Sequence, residues 1–187
     1  MNPIETLRNE YDAVIQFLDD QMQPSLSSDI KKHFKKIIAL SAASYFEDQI
    51  KVILVKSLEL STNYNIPLVS FVKNKAIHRQ YHTYFNWSSS NGNKEKAGNN
   101  ANAFLSLFGD QFKVEIERKI KSSLEMQLAM TSFIEIGHLR NLLIHNNFAS
   151  YDLDSKSADE VYTLFEKGQC FVDFIANELN VVASSKK

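Results

Sequence analysis

With a single cysteine, Cys170, in 187 residues, no disulfide can form within this chain. The thiol falls in an apolar helical pattern, which predicts an inert core group and suits a reducing compartment. Five glycines and three prolines are too few turn formers for a many-stranded sheet. Long stretches rich in Leu, Ile, Lys, Glu and Ala point instead to an all-α class. Neither sign of charge is in excess: 21 Lys and Arg face 22 Asp and Glu, for a formal charge of −1. No global field therefore draws the protein to nucleic acid, and any RNA contact has to be local. No apolar run is long enough to cross a membrane, and Met1-Asn2-Pro3-Ile4-Glu5 lacks the basic start of a secretory leader. A cytoplasmic protein without a membrane partner is expected. There is no His-Glu-x-x-His, no cluster of ligands at metal spacing and no glycine-rich phosphate loop. Neither a metal nor a cofactor is expected.

What the chain has is apolar residues at helical spacing. At 44% hydrophobic and 23% charged, residues 1–187 read as one domain able to bury a core. Ile4, Leu7, Tyr11, Val14, Ile15 and Leu18 predict a first helix after Asn2-Pro3, stopped by Pro24. Ser27-Ser28-Asp29 is expected to open a second, long helix that fades near Ser61. A shorter helical stretch begins at Pro67, and Tyr81, Tyr84, Phe85 and Trp87 form an aromatic cluster beyond it. Residues 88–102, dominated by Ser, Asn, Gly and Lys, predict a mobile surface loop. After Gly109 a further helix starts near Asp110, followed by a strongly apolar one from about Ser123 to Asn147. The chain turns at Tyr151 to Asp154, and Ser157-Ala158-Asp159-Glu160 reads as the capping box of a last helix. Ser184 to Lys187 is expected to fray. The sum is a bundle of about five to seven helices with a polar loop insertion near 86–102.

Gly137-His138-Leu139-Arg140-Asn141-Leu142-Leu143-Ile144-His145-Asn146-Asn147 stands out on that central helix. Arginine is a fixed cation that grips phosphate through two parallel donors, and histidine titrates near neutrality, so it can take or give a proton. Together they suit RNA cleavage. At about 100° per residue His138, Asn141 and His145 share one arc, while Arg140 points away from it. One ideal helix does not aim both groups at a single phosphate; two copies crossing about a dyad do.

Arg140-Asn141-Leu142-Leu143-Ile144-His145 resembles the motif of the HEPN superfamily, whose ribonuclease members carry Arg, a polar residue, three further residues and His. The fuller stretch from Glu135 to Asn147 is similar to the branch found beside RNA ligases and phosphatases in RNA-repair operons, and to stand-alone HEPN proteins. Trp87 and the segment from Asn99 to Gly109 add to the likeness. The resemblance implies an all-helical bundle, a homodimer whose motifs face one cleft, and metal-independent cleavage of an RNA substrate to 2′,3′-cyclic phosphate ends. His145 would move the proton, Arg140 would hold the phosphate, and Asn141 would position the pair or touch the RNA. A toxin or anti-phage setting follows by analogy, with an antitoxin or triggering protein as partner.

Each of these residues has a plainer role open to it. Arg140 could neutralise Glu47 or Glu135, and His145 could favour a helix C-terminus. Glu47 could orient Arg140 or be a solvated surface acid. His138 could line the cleft or be a structural histidine, and Asn146 and Asn147 could touch RNA or cap the helix. Lys31, Lys32, Lys35 and Lys36 form the densest basic run, a phosphate track or a solvated face. Lys73, Lys75, His78 and Arg79 with Tyr81, Tyr84 and Trp87 are an alternative RNA surface, unless the aromatics are core. The competing class is a non-catalytic HEPN module that dimerises or binds a partner.

Overall fold

Helices take up the apolar runs of the chain, and the computed structural model, which describes residues 2–88, 93–153 and 156–181, contains no strand among them. Helix α1 (Pro3–Asp20) starts where Asn2 accepts from the Ile4 N–H at 2.9 Å and Pro3 takes the first helical position. Helix α2 (Pro24–Ser61) runs for 38 residues. Its start corrects the sequence expectation: Pro24 begins this helix, and Ser27 lies buried inside it. A proline is indifferent at the first helical position, where its missing N–H has no partner to lose, so the same residue ends one helix and opens the next.

Residues 66–84 form one helical run, α3, α-helical over Ile66–Val72 and His78–Tyr84 with a π turn at Lys73–Ile77 between. The Tyr84 hydroxyl donates to the Ala76 carbonyl inside that wider turn at 3.2 Å. Helix α4 (Lys94–Leu105) continues through a 3₁₀ turn, Ser106–Phe108, and α5 (Asp110–Ser122) follows Gly109. Helix α6 (Leu124–His145) is capped by Ser123, and α7 (Ala158–Glu178) by the expected box, in which Ser157 and Glu160 exchange hydrogen bonds.

From Lys94 onward, helix α4 overturns the prediction of a loop reaching to residue 102. Asn93 caps it, accepting from the Lys96 N–H at 3.0 Å, and Ala97, Ala101, Phe104 and Leu105 make a fully buried stripe. Two of the four anchors are alanines, so the helix needs little apolar mass and its composition reads as polar. Buried Asn100 is satisfied by Ser88, donating to its carbonyl at 2.8 Å and accepting from its hydroxyl at 3.1 Å. The expectations for residues 89–92, for Asp154 and for 184–187 lie outside the described residues.

Helix α6 sits in the middle, with α2, α4, α5 and α7 packed around it. Phe46 of α2, Phe133 of α6 and Phe165 and Phe171 of α7 meet at centroid separations of 5.2 to 5.3 Å. Gly168 lets α7 come this close, since a Cβ there would stand 2.9 Å from the Phe46 ring. Cys170 is exposed rather than core, a second correction. The buried stripe of α7 runs through Val161, Phe165, Gly168, Val172 and Ile175, and position 170 falls to one side of it, with the thiol bonded weakly to the Glu166 carbonyl. Among the described residues no helix is long and apolar enough to cross a membrane.

Candidate active site

The motif occupies the last turns of α6, and its two chemical groups live in different surroundings. Over five residues the helix climbs about 7.5 Å and turns through about 140°. Arg140 faces back into the molecule, towards α2 and the aromatic cluster, while His145 is the exposed last residue of the helix.

Arg140 is placed by packing and by charge. Residue 137 must be glycine, because a Cβ there would fall 2.1 Å from the Trp87 ring. Trp87 therefore lies flat against the motif helix one turn before Arg140. Its carbonyl accepts from His138, whose Nδ1 lies 3.1 Å away, so Nδ1 must carry the proton in that bond. From α2, Glu47 brings Oε2 to 3.6 Å from Nη2 of Arg140. Its other oxygen, Oε1, holds the ammonium of Lys51, one helical turn on. Two cations share one carboxylate, which leaves this group a net single positive charge beside the helix.

Tyr81 closes the floor under these charges: it is 5% exposed, and the Lys51 ammonium sits 5.9 Å from its ring centroid. Burial pushes its phenol far above the ordinary tyrosine value, Glu47 adds to the shift and Arg140 opposes it. Tyr81 is thus a neutral hydroxyl at any working pH. The crevice bounded by Phe46, Tyr81, Trp87, Gly137 and Arg140 has only about 10 Å³ of room, space for about one water. Arg140 is open to a ligand only from its solvent side.

At the other end, Asn146 and Asn147 serve as caps. Asn146 doubles back so that its N–H and its side-chain amide both donate to the Leu142 carbonyl, at 3.1 and 2.7 Å. Asn147 accepts from the Ala149 N–H at 3.0 Å through its side chain, and its carbonyl takes the Tyr151 N–H at 2.8 Å. Asn141 is half-buried beside them. Among the described residues no hydrogen bond or ion pair reaches the His145 ring. Ile144 and Phe148 flank it as exposed apolar side chains.

The basic run divides: Lys31 and Lys32 stay exposed, while Lys35 and Lys36 reach the turn after the motif. Lys31 lies 3.9 Å from Asp19, Lys32 3.8 Å from Asp152 and Lys35 2.7 Å from Asp152. Lys36 is buried, 1% exposed, and donates to the Phe148 carbonyl at 2.9 Å. For Lys36 the expectation of a solvent-facing cation is corrected: it is one of the buried residues of α2, on the side of the helix that also carries Ala43 rather than that of Phe34 and Ile38. Tyr81 and Tyr84 are core as well and Trp87 is packed against the core, which removes the first two as a stacking platform for bases. Glu135, the other carboxylate considered for Arg140, pairs with Lys156 at 3.5 Å.

Sequence reasoning missed Lys51. The signal was there, an acid and a base four residues apart on a helix, but a solvated surface pair reads the same way. Among the described residues no group of three or more His, Cys, Asp or Glu is disposed to hold a metal.

The family model described as RiboL-PSP-HEPN matches residues 5–181. No curated protein and no solved structure matches the chain.

Proposed function

The chain belongs to the RiboL-PSP-HEPN family, and from that premise we propose that it is a metal-independent endoribonuclease whose active site is completed at a homodimer interface. Family membership carries a nuclease or other RNA-related function. The finer reading rests on one observation: Arg140 faces Glu47 at 3.6 Å, one turn beyond the Trp87–Gly137 contact, while His145 stands exposed at the end of the same helix. A fixed cation and an unencumbered imidazole are the two parts that in-line cleavage by a neighbouring hydroxyl needs.

In this reading His145 takes the proton of the ribose 2′-hydroxyl, O2′ bonds to phosphorus, and the bond from phosphorus to O5′ breaks. The departing O5′ takes a proton from the second copy's His145, and the products end in a 2′,3′-cyclic phosphate and a 5′-hydroxyl. Arg140 balances the charge that builds on the phosphoryl oxygens. Because the two side chains point about 140° apart on one helix, a second motif facing the first supplies the missing geometry, and exposed Ile144 and Phe148 give that contact apolar surface. Asn141 lies between the two groups as an orienting or RNA-binding amide. A toxin or anti-phage effector, restrained by an antitoxin or released by a trigger protein, is the setting that fits such an activity.

Purified protein incubated with total RNA and excess chelator should yield fragments with cyclic-phosphate ends, and His145→Ala should abolish them while remaining folded and dimeric. Intact RNA at high protein concentration would instead support a non-catalytic HEPN module, a reading in which the Arg140–Glu47 ion pair is structural.

A further inference from the structure

Lys36 is a charged group taken out of water, and its partners lie just behind the motif. An ammonium moved into a protein interior is costly unless it is paired and hydrogen-bonded. Here it donates to the Phe148 carbonyl at 2.9 Å and lies 5.2 Å from the centroid of the Phe148 ring. Lys35, the residue before it on α2, donates to the Leu153 carbonyl at 3.0 Å. Two successive lysines thus grip both ends of the 148–153 segment, which leaves α6 three residues after His145. About three turns further along the same helix, Glu47 faces Arg140.

Filling the space of the Lys36 stem needs no charge, and an apolar side chain of similar volume would serve packing as well or better. What the ammonium adds is direction: it fixes one carbonyl and one ring of the turn that follows the helix. At its near end the turn is closed on itself through Asn147, and at its far end Lys35 holds Leu153 and Asp152, so Lys36 is the residue of α2 that reaches the Phe148 end. We propose that Lys36 is a positioning residue, holding the end of α6 through Phe148 so that His145 stands at a set place relative to Arg140. Helix α2 then acts as a ruler that touches the motif at both ends. This inference rests on the ribonuclease reading of the same site.

The test uses the full chain, an RNA oligonucleotide cleaved at temperatures well below unfolding, and amide hydrogen exchange. Lys36→Met should lower kcat by roughly 10- to 100-fold, the scale of an ångström-sized misplacement, with KM within about twofold. Exchange should quicken at residues 146–151 while the core amides of α7 stay protected. Phe148→Leu keeps the carbonyl and removes the ring, and should move both readouts the same way by less; it stands in if Lys36→Met does not fold. A wild-type kcat in Lys36→Met, or exchange quickened equally in every helix, overturns the proposal. Should the wild-type protein leave RNA intact, the ribonuclease reading fails instead, and unchanged exchange at 146–151 in the variants would still overturn the hold assigned to Lys36.

Discussion

Arg140 and His145 are five residues apart on one helix, yet they differ in almost every physical respect. Arg140 faces an acid, a second cation and a wall of aromatic rings, and is partly shielded from solvent. His145 is solvent-facing at the helix end, with nothing of this chain bonded to its ring among the described residues. The contrast fits what the proposed cleavage would ask of each group. A phosphate-binding cation is most effective when its orientation is settled before the substrate arrives. A proton-transferring imidazole has to stay accessible and able to change charge, which burial against a fixed partner would oppose.

The most direct way to break this comparison is to remove the exposed side. His145→Ala should cut RNA cleavage by about 10²- to 10⁴-fold and leave the melting temperature nearly unchanged, since surface substitutions typically shift stability by within about 0.5 kcal/mol. A large loss of stability would show that His145 is structural. Arg140→Ala should cost about 10²- to 10³-fold in kcat, the scale of removing one donor to the developing charge, and should also destabilise, because Glu47 would keep only Lys51. If it changed KM alone, Arg140 would bind ground state and transition state equally.

Gly137→Ala probes how the anchored side is built. The added methyl meets the Trp87 ring, so thermal or urea unfolding should show a loss of about 1–3 kcal/mol, the cost of overpacking. Unchanged stability would mean that Trp87 can swing away and is not what holds the motif helix. The smallest effect is expected from Glu47→Gln. Freed of its carboxylate, Arg140 should bind RNA more tightly at low salt but less well oriented, giving a KM and a kcat each lower by a few-fold. Stability should fall by no more than about 1 kcal/mol, since the pair is partly exposed. A kcat unaffected across salt concentrations would remove Glu47 from any part in orienting Arg140.

Much of this was open to view in the chain. The capping box at Ser157 to Glu160, the start near Asp110 and the apolar weight of the motif helix are local signals, carried by residues within a turn or two of one another. The motif residues stood out for the same reason, and the family whose model matches residues 5–181 is the one they resembled. The failures are also instructive. Helix α4 hid behind Asn, Lys and Gly because alanines supply half of its buried stripe. Cys170 looked like core because α7 is apolar on more than one side, and Lys36 looked like part of a solvated run because its neighbours are. In each case composition was legible and facing was not.

By itself, then, the amino-acid order determined the helices, their caps and breaks, and the pairing of a guanidinium with an imidazole at a fixed spacing, since hydrophobic periodicity and hydrogen-bonding side chains act over a few residues. Which carboxylate faces Arg140, which lysine is buried behind the motif, and why residue 137 has no side chain were decided by how α2, α6 and the Trp87 segment come together. Those contacts join residues that are 50 to 112 positions apart, and no local pattern encodes them.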